Sequence, residues 1–174
     1  FSGATFEAAA SFEMARFRAG TFAGTTFDGE TSFERAVFRR DTTFAEASFD
    51  GPLGLTRGTF EGNVSFERTT FAADATFEEV ECTGDAVFAR ATFDGPVSFA
   101  GGEFHGGSNL LVDDADFSGA TFAATADFHT TRFRYAGFPD ARFAAEADFT
   151  DATFERGGTF AEAAFEADAV VADC

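Results

Sequence analysis

Phenylalanine marks time along this chain. Phe occurs at positions 1, 6, 12, 17, 22, 27, 33, 38, 44 and 49 and onward in the same manner, with steps that alternate between five and six residues and a few extra fives. The residue two places before each Phe is mostly Ala, sometimes Val, Thr or Gly, and the residue immediately before it is usually Thr or Ser. Glu, Asp, Arg or Ala often follows, with Gly frequent one step later. A helix cannot hold this pattern on one side, because a five-residue step overshoots a turn by about 140°. A long strand fails too, since steps of five and six differ in parity and would place Phe on both faces. The pattern predicts very short extended stretches whose central residue points inward, each followed by a turn. The small residue two places earlier also points inward and leaves room for the ring, and the Gly-rich positions supply corners.

Units such as ATF, ASF, AVF and ADF, repeated as in FSGATF (1–6), FERAVF (33–38), FAEASF (44–49) and FARATF (88–93), resemble the pentapeptide-repeat family. The resemblance covers essentially the whole chain, from Phe1 to about Phe165. It implies an all-β, right-handed quadrilateral β-helix, a solenoid with four faces per coil. A sixth residue at roughly every second face departs from the strict five-residue repeat and lengthens the coil to about 22 residues. Leucine-rich repeats share that period, but their L-x-x-L-x-L signature is absent.

Filling the gaps with Leu55, Cys82, Leu110 and Val171 gives 32 inward slots and therefore eight coils. Every fourth slot stacks into a column. The expected core includes Phe22, Phe44, Phe66 and Phe88 of the first column, Phe71 and Phe93 of the second, Phe77 and Phe99 of the third, and Cys82 and Phe104 of the fourth. In this register Leu110 follows Phe88, and Phe117 follows Phe93. Gly106, Gly107, Ser108 and Asn109 predict a bulge between the fifth and sixth coils. Pro52, Pro96 and Pro139 all fall on the corner after the second column. Cys82 and Cys174 are about four coils apart, roughly 19 Å, so no disulfide is expected between them.

Composition adds that one packing problem is solved repeatedly: 28 Phe, four Leu, one Met and neither Ile nor Trp. The absence of Lys and Ile beside abundant Ala, Gly and Arg points to a GC-rich bacterial coding sequence. A net charge of −18 argues against direct nucleic-acid or anionic-membrane binding. No apolar run reaches the ~18 residues of a membrane span, and Phe1 in place of Met points to an excerpt of a longer or processed chain. Inward slots reach both ends of the chain, which implies flanking sequence, end-to-end self-association, or both.

No nucleophile–base–acid set, phosphate-cradling loop, zinc motif or cofactor signature is present, so a non-catalytic role is expected. Thr5, Thr26, Ser48, Thr70 and Thr92 form an outward ladder similar to that of ice-binding β-helices, but Glu7, Asp28, Asp50 and Asp94 beside it spoil an ice-matching plane. On the fourth face, Glu81, Glu103, Asp127 and Asp148 are expected on successive coils, with His105 and His129 beside them. Glu103, His105, Asp127 and His129 therefore read either as a divalent-metal or pH-responsive patch or as a solvated acidic face. Arg16, Arg18, Arg39 and Arg40 occupy the same face in the first two coils.

Two functions compete. One is an interaction or spacer scaffold, an acidic rod that meets protein partners. The family resemblance implies the other, a DNA mimic that binds DNA gyrase or topoisomerase IV. Family members of that kind keep a stricter repeat and a C-terminal dimerising helix, which EADAVVADC hardly provides.

Overall fold

The computed structural model describes residues 1–107 and 114–172. Each predicted extended stretch is a two-residue strand, thirty of them among the described residues, beginning with Thr5–Phe6, Ala10–Ser11, Arg16–Phe17 and Gly20–Thr21. Two residues are too few to stand alone. Each strand is held by its equivalents one coil away, so four parallel sheets of eight, eight, seven and seven strands form the faces of a quadrilateral β-solenoid. The pairing is in register: Thr70 and Phe71 lie beside Thr92 and Phe93 on the next coil.

Inside, the rings stack along the axis and meet edge-on across it. Phe44 lies 4.8 Å from Phe66 at an interplanar angle of 3°, and Phe66 lies 5.0 Å from Phe88 at 7°. Across the coil, Phe66 and Phe88 meet Phe77 at 87°. Both arrangements suit the ring quadrupole, and one residue type supplies both. All ten core residues named above are buried. Where Thr replaces the small inward residue, its hydroxyl donates to a backbone carbonyl, of the preceding coil for Thr69 Oγ1 to Phe44 O at 2.8 Å and Thr131 Oγ1 to Phe99 O at 2.9 Å, and two residues back for Thr31 and Thr42. No buried side-chain polar atom among the described residues lacks a partner.

Two kinds of corner explain the alternating steps. After the first and third columns the step is five. The third residue after the inward one returns a hydrogen bond to it, as Ala36 N does to Phe33 O at 3.0 Å. The residue between, here Arg35 with φ 54°, is left-handed, as a type II turn requires. After the second column the step is six, and after the fourth usually so; of these wider corners the one after Phe154 also closes such a turn, Gly157 N to Phe154 O at 3.1 Å.

The structure corrects the register beyond Phe104. Phe117, not Leu110, follows Phe88 in the first column: the rings are 4.9 Å apart and 4° from parallel, and Ala86 pairs with Ala115. Phe122, Phe128 and Phe133 then continue the second, third and fourth columns on Phe93, Phe99 and Phe104. The strands of the rod therefore make seven full coils and two faces of an eighth. The physical reason is that a ring stack gains most when ring follows ring, so Phe117 takes the slot on Phe88. The predicted bulge coincides with that interval; Ser108, Asn109 and Leu110 lie outside the described residues, as does Cys174. The same shift moves Pro139 to the corner after the first column, whereas Pro52 and Pro96 stand after the second as expected.

The near end of the interval is tied to the sixth coil. Arg134 Nε and Nη2 donate to the buried Asp114 carboxylate at 2.8 and 2.5 Å, and Nη2 also reaches Gly107 O at 2.5 Å. Asp114 is 2% exposed, so this ion pair is the buried charge that the interval requires.

Candidate interaction surface

The corrected register divides the predicted acid–histidine patch. Glu103 and His105 flank Phe104 on the fourth face, where Glu81 pairs with Glu103 and Glu103 with Arg132. Asp127 and His129 flank Phe128 on the third face, beside Ser98 and Asp148. The four residues thus form two separate carboxylate–imidazole pairs. His105 Nε2 lies 3.3 Å from Glu103 Oε2, and Arg132 Nη1 lies 3.3 Å from the other oxygen, Oε1. His129 Nδ1 lies 2.7 Å from Asp127 Oδ1, which also accepts the His129 backbone N–H at 2.9 Å. Among the described residues no three His, Cys, Asp or Glu side chains are grouped to hold a metal ion. The physical cause is the phase shift: coils stack by ring position, and the interval after Phe104 moved the second pair one face round.

The hydrogen bond to Asp127 raises the His129 pKa above its ordinary value, helped by the charges of Asp127, Asp148 and Glu78 and opposed by slight desolvation. Asp148, one rung away, is held below the ordinary carboxylate range by the Thr150 hydroxyl and backbone N–H. His129 also borders an open depression of about 270 Å³ with Glu78, Glu79, Gly101 and Thr130.

The second face keeps its hydroxyl ladder as expected, Thr5, Thr26, Ser48, Thr70 and Thr92 in register, continued by Thr121 and then Arg142. The corner before the first face carries a feature the sequence reading passed over. Asp41 Oδ1 accepts the Asn63 N–H at 3.0 Å, Asn63 Oδ1 accepts the Asp85 N–H at 3.0 Å, and Asp85 Oδ1 accepts the Gly107 N–H at 2.7 Å. These side chains satisfy corner amides that the two-residue strands cannot pair. The signal was present as Asp/Asn at 41, 63 and 85, one per 22 residues.

Cys82 occupies its fourth-column slot between Phe60 and Phe104, and burial pushes its thiol pKa far up, which makes it a core thiol without nucleophilic character. Arg16, Arg18, Arg39 and Arg40 gather on the fourth face of the first two coils as expected, around an open depression with Phe17.

No curated protein matches the chain. The family model for pentapeptide repeats (9 copies) matches residues 1–37 and 33–81. Those residues build the first coils, and the same four columns continue beyond them to the last described coil. Residues 1–81 thus carry pentapeptide repeats, and the coils beyond them are similar in form.

Proposed function

We propose that the chain is a non-catalytic scaffold, a rigid acidic rod whose flat faces meet protein partners or hold flanking modules at a fixed separation. One observation carries the reading: outward side chains repeat at about 4.8 Å on four sheets fixed to a continuous ring core, so every surface group has a defined position. Apart from the four arginines of the first two coils, the chemistry on those faces is dispersed into single ion pairs and hydroxyl rows. The test is in-cell cross-linking of the full chain, with the partner identified and then titrated against two variants. One carries Glu61→Gln, Glu81→Gln and Glu103→Gln on the fourth face, the other Asp28→Asn, Asp50→Asn and Asp94→Asn on the second. Loss of binding with one variant and retention with the other supports a face-specific scaffold. Equal binding by both, at the affinity of the unaltered rod, counts against it.

Charge spacing favours a second reading. Eight stacked rungs span about 38 Å, so a net charge of −18 amounts to roughly one per 2 Å of axis, near the ~1.7 Å of duplex DNA. A DNA mimic directed at DNA gyrase would use that density. Supercoiling by gyrase with the whole chain added at micromolar concentration is the assay, and unchanged activity removes this reading.

A further inference from the structure

Among the described residues five of the twelve arginines meet a carboxylate one coil away. Arg57 meets Glu79 at 2.8 Å, Arg132 meets Glu103 at 3.3 Å, Arg142 meets Glu166 at 2.8 Å, and Arg68 lies 3.7 Å from Glu46. Stacked rungs bring such side chains within reach of each other, so opposite charges pair and like charges repel. Four of the seven without such a pair stand together on the first two coils of the fourth face. Arg16 and Arg18 flank Phe17, and Arg39 and Arg40 follow Phe38. Phe17 and Phe38 are register partners, so Arg18 and Arg39 sit one rung apart. Among the described residues none of the four has a carboxylate within ion-pair distance. Asp41, next in sequence to Arg40, accepts the Asn63 N–H instead. Glu61, one rung beyond Arg39, makes no ion pair.

The four arginines and Phe17 line an open depression of about 510 Å³. A third of the chain's 12 cationic residues therefore stand together, unpaired, on a protein of net charge −18. We propose that this depression binds a small multivalent oxyanion, a linked di- or triphosphate group, either free or carried on a nucleotide. Guanidinium forks match phosphate oxygens in pairs, and the volume lies within the ~300–1,000 Å³ of small-ligand sites. Size selects the class. A long polyanion would run from this patch onto carboxylate-bearing coils and be repelled, whereas a triphosphate ends where the arginines end.

The experiment is calorimetric titration of the full chain in about 20 mM salt, where screening is weak, with sodium tripolyphosphate, ATP without divalent cation, and AMP as separate arms. Saturable one-to-one binding of tripolyphosphate is expected, with AMP at least about tenfold weaker because it offers one phosphate. ATP binding as tightly as tripolyphosphate identifies the phosphate chain of a nucleotide as a ligand; tripolyphosphate alone identifies free polyphosphate. Arg18→Gln with Arg39→Gln should weaken binding by about tenfold or more, whereas Arg90→Gln, remote on another corner, should leave it unchanged. The double variant relieves repulsion, so its thermal midpoint without ligand should match or exceed the unaltered chain. No saturable heat up to about 1 mM ligand, equal binding of AMP, or equal binding by the double variant overturns the proposal.

Discussion

Replacing Gly51 with alanine adds one methyl group to the six-residue corner after Phe49. An ideal Cβ there would lie 2.5 Å from Gly29 C, 2.7 Å from Gly29 O and 2.8 Å from Glu30 N, all backbone atoms of the preceding coil. Ordinary carbon contacts need about 3.5 Å, so the two coils must part locally by about 1 Å. The flanking bonds from Asp50 N to Phe27 O, 2.9 Å, and from Thr31 N to Pro52 O, 2.8 Å, would then leave hydrogen-bonding range. Two weakened bonds contribute about 0.5–1.5 kcal/mol each, and the Phe27–Phe49 stack at 4.7 Å loosens with them. The expected destabilisation is about 2–4 kcal/mol. Gly24 provides the contrast. It has φ 62° and no atom within 4 Å of an added Cβ, so Gly24→Ala meets only left-handed backbone strain, about 1 kcal/mol. Among the described residues eleven non-glycine residues already hold that conformation at other corners. Urea unfolding of both variants, followed by far-UV circular dichroism with hydrogen exchange to localise the loss, measures the difference. Gly24→Ala matching or exceeding Gly51→Ala, or Gly51→Ala costing less than about 0.5 kcal/mol, would refute the assignment of these glycines to two different jobs.

Phe88→Ala should destabilise by about 3–5 kcal/mol, since its ring stacks on Phe66 and Phe117 and meets Phe77 and Phe99 edge-on; Phe165→Ala, at a ring 39% exposed, should cost much less in the same denaturation series. Arg134→Ala leaves the Asp114 carboxylate buried without its ion-pair partner and should cost about 3–5 kcal/mol, with faster amide exchange first at Glu103–Phe104 and Ala115–Asp116. The His129 pKa is raised on folding, so its protonation adds stability that is fully present below the unfolded value near 6.5 and is lost as pH rises through the folded value. NMR titration should place His129 above an unperturbed histidine, and Asp127→Asn should bring it down. Asp148, depressed on folding, contributes stability above its unfolded pKa that is lost as pH falls through the folded value; Thr150→Ala should narrow that acid-side loss in a pH series of melting curves.

The sequence alone determined the architecture, the inward residues up to Phe104 and the gathering of arginines in the first two coils, because a β-solenoid repeats one local rule and each five- or six-residue unit carries it entire. The phase beyond Phe104 was also encoded, though not by spacing alone. Steps from the first column to the second are five residues throughout, and from the second to the third six, so the run of five, six, five and five from Phe117 to Phe138 fits only a first-column Phe117. A reading that only counted slots let Leu110 take that place and put Asp127 and His129 beside Glu103 and His105. Tertiary structure decided what no local rule contains. Ring stacking chose which side chains face each other across coils separated by twenty or more residues. The closeness of coils made Gly51 a contact and left Gly24 a turn. Charge pairing between rungs neutralised five arginines and left four of the others together, because pairing depends on what the neighbouring coil presents and not on the residues within one repeat.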